Sequence, residues 1–249
     1  MQTPAQCETS ETRVCKHERS EAGCAECNVR LISVCGALEI SELDALEQMS
    51  HVTTFAAKAM LFEQGALAGS VFNITEGVVR LYKSLPDGRR QITGFALPGD
   101  FLGLALMDRY GVTAEAVTPV RVCRFMRSSF VSYIDGKPHL LKRLREFAGH
   151  ELSLAQDQML LLGRKSAEEK VAAFLVNLQT RYSKVGLPSV TVELPMSRQD
   201  IADYLGLTIE TVSRTLTKLA RLKAILIVPD SVPAKPRADE ATYRRLNLI

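Results

Sequence analysis

The chain of 249 residues contains no tryptophan and only four histidines, and aromatic residues make up 6% of it. No apolar stretch approaches the roughly 20 residues that a membrane-spanning helix needs. The N-terminal residues, MQTPAQCETSETR, lack the apolar core of a secretory signal. The histidines do not have metalloprotease or hydrolase spacing, and the sequence holds neither a GxGxxG loop nor a P-loop. These absences argue against the common enzyme classes and against a membrane protein, and they predict a cytoplasmic protein without enzymatic activity.

The overall charge is nearly balanced, with a formal net charge of +3 and 24% charged residues. A balance this close to zero is weak evidence for a nucleic-acid ligand. The local charge is less even, because residues 208–223 hold one acid, Glu210, and four basic side chains: Arg214, Lys218, Arg221 and Lys223. Clustered basic side chains are typical of a surface that contacts phosphates.

Residues 197–223 predict two short helices joined by a turn at Gly206. Ser197 and Asp200 have the spacing of a cap at the start of the first helix, and Thr208 can cap the second. Apolar residues at helical spacing give the second helix one buried face, while its other face carries Glu210, Ser213, Arg214 and Lys218. The pattern predicts a helix-turn-helix that enters the major groove, where arginine binds guanine bidentately. The alternative is an amphipathic helical hairpin with a solvated polar face.

The ExxSR residues of the second helix resemble the recognition-helix signature of the CRP/FNR superfamily of bacterial transcription regulators, and in particular its FNR branch. The resemblance implies that Glu210 and Arg214 contact a G·C pair, and that Ser213 contacts an adjacent thymine of a TTGAT-like half-site. We expect Lys218 to contact a phosphate instead. The implied partners are double-stranded DNA with a palindromic promoter site, a second copy of the chain, and RNA polymerase at the Pro86-Asp87-Gly88 turn. The alternative for this segment is a plain turn without a partner.

Six cysteines are present, and five of them fall within the first 35 residues. Cys24 and Cys27 form a C-x2-C pair, Cys35 follows after seven residues, and Cys123 lies far along the chain. In a cytosolic protein such crowding favours metal ligation or redox chemistry over structural disulfides. Thiolates suit zinc and iron–sulfur clusters alike. Zinc-binding or unliganded thiols are therefore alternatives to a cluster.

The FNR branch holds a [4Fe–4S] cluster on three N-terminal cysteines and one cysteine of a sensor-domain strand. The resemblance implies Cys24, Cys27, Cys35 and Cys123 as these ligands. The spacing of two and then seven residues is similar to the FnrN/FnrL/AadR type of rhizobia and phototrophs. Cys123 lies in VRVCRF, whose alternation predicts a strand. The remaining two, Cys7 and Cys15, fall outside the pattern.

The rest of the sequence predicts an α+β fold in four parts. Residues 1–36 form a cysteine segment that is partly disordered. Short alternating runs with recurring glycines over 37–136 predict an antiparallel β-roll similar to a cyclic-nucleotide-binding sensor domain, and a helix over 41–48, capped by Ser41 and Asp44, precedes its strands. A long dimerisation helix over 137–163 and a C-terminal winged helix-turn-helix domain over 164–249 follow.

The long helix carries two apolar stripes. We expect one to pack on the β-roll and the other to meet a symmetry mate, as the dimer seam does in the family; this seam stripe consists of Leu141, Leu152, Ala155, Met159 and Leu162. A helix buried wholly within a monomer is the alternative.

Cyclic nucleotide, the ligand of the CRP branch, is not expected. That branch uses an acid and an Arg-Ser pair, and their positions here hold no acid after Gly103 and hold Val112 and Thr113 in place of the pair. A bound phosphate would lack its countercharge. The sequence thus predicts an oxygen-responsive regulator, mainly an activator of anaerobic or microaerobic genes. The alternative is a cluster-free or zinc-containing regulator of the same family that answers another signal.

Overall fold

The computed structural model describes residues 23–103, 108–185, 191–228 and 245–248. Its N-terminal half contains two short 3-10 helices (Cys24–Glu26 and Val34–Ala37), helix α1 (Ile40–Met49) and the strands β1 (Ser50–Phe55), β2 (Met60–Phe62), β3 (Ser70–Glu76), β4 (Val79–Ser84), β5 (Arg90–Ala96), β6 (Phe101–Leu102), β7 (Thr113–Ala116) and β8 (Val120–Met126). The C-terminal half contains α2 (Arg127–Asp135), α3 (Pro138–Arg164), α4 (Ala167–Lys184), β9 (Thr191–Glu193), α5 (Arg198–Leu205), α6 (Ile209–Arg221), β10 (Ile225–Val228) and β11 (Arg245–Leu248). The predicted α+β class is confirmed.

The described strands of the N-terminal half form two antiparallel sheets, with the orders β1-β8-β3-β6 and β2-β7-β4-β5. Strand β8 shows how the pattern builds them. Its Val120 and Val122 lie in the core between the sheets, while Phe125 packs on the outer side with Phe130 of α2. This alternation is the one that the sequence predicts, because successive side chains of a strand point to opposite faces. The predicted β-roll is confirmed.

The predicted cap of α1 was wrong. The helix begins at Ile40 with Glu39 as its N-cap, and Glu42 accepts a hydrogen bond from the Glu39 amide at 3.0 Å. Glu42 also binds Lys137 of the α2–α3 junction at 2.6 Å, and the Tyr133 hydroxyl donates to its carbonyl oxygen at 2.8 Å. These contacts come from residues far along the chain, so a local cap pattern could not have shown them.

Helix α3 extends for 27 residues and starts at Pro138, as predicted. Its side chains Leu140 and Leu144 are buried against α2 and the second 3-10 helix, and Leu161 is buried near the other end. Ser166 and Glu169 have the sequence spacing of a capping box, and this box is present at the start of the next helix, α4. Among the described residues, no helix combines the length and the apolarity that a bilayer crossing requires.

The C-terminal domain combines a helix-turn-helix with a small sheet of order β10-β11-β9. The segments LPSVTVELP and AILIV predict a strand before the helix-turn-helix and a wing strand, and β9 and β10 lie within them, whereas β11 was not predicted. The segment DSVPAKPRADEA, which predicts a turn or flexible loop, lies outside the described residues.

A single apolar core joins the β-roll to the C-terminal domain. Ile92, Phe95 and Leu97 of the β5 region share it with Phe174 of α4 and Tyr204 of α5. The rings of Phe95 and Phe174 have their centroids 6.1 Å apart, and those of Phe95 and Tyr204 are 5.5 Å apart. The β-roll also has its own core between its sheets, so the shared core is an additional one that connects the two domains.

Two glycine substitutions should have opposite effects on stability. Gly206 has a φ of 62°, and a Cβ there would lie 3.2 Å from Leu162 Cδ2. Gly206→Ala should therefore lower the free energy of unfolding by about 1–2 kcal/mol. Gly149→Ala, in the exposed middle of α3 with open space around its Cα, should raise it by up to about 1 kcal/mol. Denaturant unfolding of both variants is the measurement, and equal destabilisation would contradict this account.

Candidate functional site

Helices α5 and α6 form a helix-turn-helix whose turn is made by Gly206. The Gly206 and Leu207 amides both donate to the Ala202 carbonyl, which ends α5. The Thr208 side chain accepts the Thr211 amide and begins α6. Val212 on α6 and Leu205 on α5 are completely buried in the contact between the helices. The predicted capping box of Ser197 and Asp200 is also present.

The outer side of α6 carries the predicted DNA-contacting residues. Glu210 and Arg214 are exposed, and Ser213 is half-buried; we call these three residues the recognition face. The pKa of Glu210 is lowered by its own backbone amide, by the Thr208 hydroxyl and by Arg214. Glu210 is therefore an ionised acceptor at neutral pH, which suits contact with a cytosine amino group.

Two neighbours of this surface, Arg198 and Glu168, were missed by sequence reasoning. The Arg198 guanidinium, at the first position of α5, donates to the Ser213 hydroxyl at 3.2 Å. Lys218 forms an exposed ion pair with Glu168 of α4. Arg198 directly follows the Ser197 cap, and this position at the start of α5 was the sequence feature that could have indicated its place beside the recognition face. Lys218 must leave Glu168 before it can contact a phosphate.

The four predicted ligand cysteines meet at one end of the β-roll. Cys24 begins the first 3-10 helix and Cys27 ends it, Cys35 lies in the second, and Cys123 is in the middle of β8. A cavity of about 880 Å³, here called the cysteine cavity, is lined by Cys24, Cys27 and Cys123. Cys35 packs beside Cys24 and Cys123 on the outer core of the β-roll. The remaining cysteines, Cys7 and Cys15, lie outside the described residues.

Burial controls the protonation of these thiols. It raises the pKa of Cys24 and of Cys123 to about 12, and that of Cys35 to about 11. After burial, the next cause of the raised pKa of Cys24 is Glu47, which accepts the Cys24 amide at 3.0 Å, and neighbouring thiols contribute to the raised pKa of all three. These three thiols are thus protonated at neutral pH, so metal ligation by them must release protons. Within the described ranges, no three Cys, His, Asp or Glu side chains are arranged to hold one metal ion.

The seam stripe of α3 is largely open to solvent. Leu152 and Met159 are 61% and 66% exposed, Leu141 is 38% exposed, and Ala155 is also exposed. Leu162 differs, because it is half-buried against the core shared with the C-terminal domain. An exposed apolar stripe of this kind is typical of a protein interface. The described chain does not cover it, which argues against the alternative of a wholly buried helix.

A second cavity, of about 650 Å³, lies between the β-roll, α3 and α4. Its described acids are Asp100, Glu151 and Asp157, and Arg181 in its wall is paired with Asp100. At the positions predicted to lack an Arg-Ser pair, the Thr113 hydroxyl accepts the Gln64 amide at 3.1 Å. Lys165 also lines the cavity, so with Asp100 and Arg181 paired its remaining charged groups are Glu151, Asp157 and Lys165.

Two family models match the chain. Residues 52–137 match the model described as a cyclic nucleotide-binding domain, and residues 194–225 match bacterial regulatory proteins of the crp family. The transcriptional activatory protein AadR of Rhodopseudomonas palustris is 53% identical over 221 residues, which cover 89% of this chain and 91% of AadR. The chain belongs to the CRP/FNR family. It is therefore a DNA-binding transcription regulator and not an enzyme, as predicted.

Further relatives support this membership. The nitrogen fixation regulation protein FixK of Bradyrhizobium diazoefficiens is 52% identical over 82% of this chain and 86% of FixK. The solved structure of FixK2 from Bradyrhizobium japonicum superposes with a TM-score of 0.70 at 35% identity and covers 80% of this chain and 92% of that one. The CRP/FNR architecture of sensor domain, long helix and helix-turn-helix is thus confirmed.

Arg214→Ala should weaken binding to a TTGAT-like duplex by about 1–3 kcal/mol and relax the preference for guanine, because one bidentate base contact is lost. Lys218→Ala is the control. It should weaken binding to all sequences alike and flatten the salt dependence, since a phosphate contact carries no base information. Fluorescence anisotropy on matched and scrambled duplexes at several salt concentrations measures both. An unchanged ratio of matched to scrambled affinity in Arg214→Ala would show that Arg214 does not contact a base.

Proposed function

We propose that this protein is an oxygen-responsive transcription regulator, mainly an activator of anaerobic or microaerobic genes, that works in the cytoplasm. It binds a TTGAT-like palindrome as a homodimer, and it holds a [4Fe–4S] cluster on Cys24, Cys27, Cys35 and Cys123. The observation that carries the proposal is the meeting of these four thiols, from two distant segments, at one end of the β-roll.

The donor set fits the cluster, because four cysteine thiolates are its usual ligands. When bound, the cluster would supply an oxygen-reactive centre. The chain's own residues supply the setting: three ligands lie in or beside the two 3-10 helices, and Cys123 lies on a strand held between β1 and β3. Proton release from three thiols of raised pKa makes loading more favourable as the pH rises.

The cysteine segment is connected to the dimerisation helix by direct packing. Val34, next to Cys35, is buried in the same core as Leu140 and Leu144 of α3. Glu42 of α1 binds Lys137 at 2.6 Å and His139 at 2.9 Å. Helix α1, which follows the cysteine segment, is thereby attached to the start of α3. A change in the position of Cys35 would therefore alter the packing at the N-terminal end of α3.

The dimer explains how this change reaches DNA. A monomer contacts one half-site and forfeits the second, so a modest change in dimer free energy becomes a large change in occupancy. RNA polymerase is the proposed partner of the Pro86-Asp87-Gly88 turn, where the Asp87 and Arg89 side chains are 51% and 78% exposed. We expect no cyclic nucleotide in the second cavity, because its acids would repel the phosphate.

Ligand identity is tested by serine variants. Protein purified without air should be brown and contain iron and sulfide, and serine at Cys24, Cys27, Cys35 or Cys123 should abolish both the colour and promoter activation. Cys7→Ser and Cys15→Ser are the controls and should retain them. A colourless wild type with or without zinc would support the alternative regulator. Equal iron loss in Cys15→Ser and Cys24→Ser would mean that another ligand set is used.

The seam is tested by sedimentation. The wild type should be dimeric without air and should dissociate in air, with residual dimer at high concentration because the seam stripe contains no charge that opposes pairing. Ala155→Asp should weaken the dimer or make it strictly cluster-dependent, because like charges would face each other across the two-fold axis. Ser153→Asp, also exposed but off the stripe, is the matched control. A wild-type dimer that survives cluster loss unchanged would exclude control through association.

A further inference from the structure

Basic side chains of the β4–β5 hairpin meet acidic side chains of α5 across the domain boundary. Arg80 Nη1 lies 2.8 Å from Asp200 Oδ1, and Arg90 Nη2 lies 2.9 Å from the same oxygen. Arg90 Nε lies 2.8 Å from Asp203 Oδ2. Glu115 of β7 binds Arg80 at 2.5 Å and holds it in place from within the β-roll. We call Arg80, Arg90, Asp200 and Asp203 the interdomain clamp.

The clamp is largely removed from solvent. The Asp200 side chain is 4% exposed, Arg80 and Asp203 are each 15% exposed, and Arg90 is 30% exposed. Ion pairs in such surroundings are screened less by salt than surface pairs. Removing Arg90 leaves Asp203 without its arginine partner, and removing Asp203 leaves Arg90 only its contact with Asp200, so either loss should weaken the clamp.

The other end of α5 is held by two glutamines. Gln91 Nε2 of β5 donates to the Asp203 carbonyl at 2.5 Å, and Gln158 Nε2 of α3 donates to the Tyr204 carbonyl at 2.7 Å. The last carbonyls of a helix have no partner within it, so these contacts satisfy groups that would otherwise need water. Helix α5 is therefore attached to the sensor domain near both of its ends, and to α3 near its C-terminal end.

Helix α5 in turn positions the recognition helix. Its Arg198 donates to Ser213, and its Leu205 is buried in the same core as Val212. With the clamp closed, Glu210 and Arg214 stay exposed. We propose that Arg80 and Arg90 are positioning residues for DNA binding: they fix the helix-turn-helix on the sensor domain with its recognition face open. This goes beyond the proposed function, since it requires neither the cluster nor oxygen.

The expected benefit is preorganisation. Without the clamp, the C-terminal domain would sample other orientations, and only the fraction with the competent orientation would bind a palindrome through both protomers. DNA binding would then have to order the domain, which lowers the apparent affinity.

The test is a double-mutant cycle in the full-length protein. Arg90→Ala and Asp203→Ala should each weaken binding to the TTGAT-like duplex about tenfold, and the double variant should lose less than the product of the two single losses, because both variants break the Arg90–Asp203 contact. The charge-swapped pair Arg90→Asp with Asp203→Arg should recover part of the affinity. Lys83→Ala is the matched control, because Lys83 is an exposed basic residue of the same hairpin outside the interdomain clamp and should leave the affinity unchanged.

Two further measurements keep the outcome clear. Sedimentation at the assay concentration identifies the conditions under which every variant is dimeric, and affinities are compared only there. A failure of the proposed oxygen switch then does not affect the measured DNA affinities. Hydrogen exchange should show faster exchange in α5 for the single variants, with the β-roll sheets unchanged. Wild-type affinity in Arg90→Ala, tighter binding in it, or additive losses without recovery in the swapped pair would each overturn the proposal.

Discussion

The packing of helix α3 is the constraint on which the other parts of the molecule depend. Its 27 residues span about 40 Å at 1.5 Å per residue. Near one end, Leu140 and Leu144 hold the cysteine segment, and near the other, Leu161 and Leu162 contact the core of the helix-turn-helix domain. A continuous helix is stiff, so a displacement at one end is not absorbed before it reaches the other. The side left uncovered is the apolar seam stripe.

Two connections therefore lead from the sensor domain to the recognition helix. One passes from the cysteine segment along α3 and through a second copy of the chain, and it depends on the proposed cluster and dimer. The other passes from the β4–β5 hairpin to α5 within one chain, through ion pairs and the core around Phe95. The two differ in physical kind. Association depends on concentration, whereas the interdomain clamp acts at any dilution.

Near neutrality of the whole chain conceals a strong local separation of charge. Acids surround the cysteine cavity and the second cavity, and an ionised Glu210 stands beside Arg214 on the recognition face. Where the domains meet, opposite charges neutralise each other in ion pairs, as Asp200 does with Arg80 and Arg90. Net charge is thus a poor guide to what this protein binds, because binding depends on the groups left unpaired at each surface.

Features encoded within a few residues could be predicted from the sequence alone. The capping boxes at Ser166 and Ser197, the turn at Gly206, the alternation of β8 and the apolar stripes of α3 each depend on neighbours in the chain. The family, and with it the fold, followed from the ExxSR signature and the cysteine spacing. Only the tertiary structure decided the pairing of Glu42 with Lys137, the burial of Leu162 and the pairing of Arg80 with Asp200, which are 120 positions apart. Such contacts depend on how whole elements pack, and no local pattern records which distant side chain will meet a buried charge.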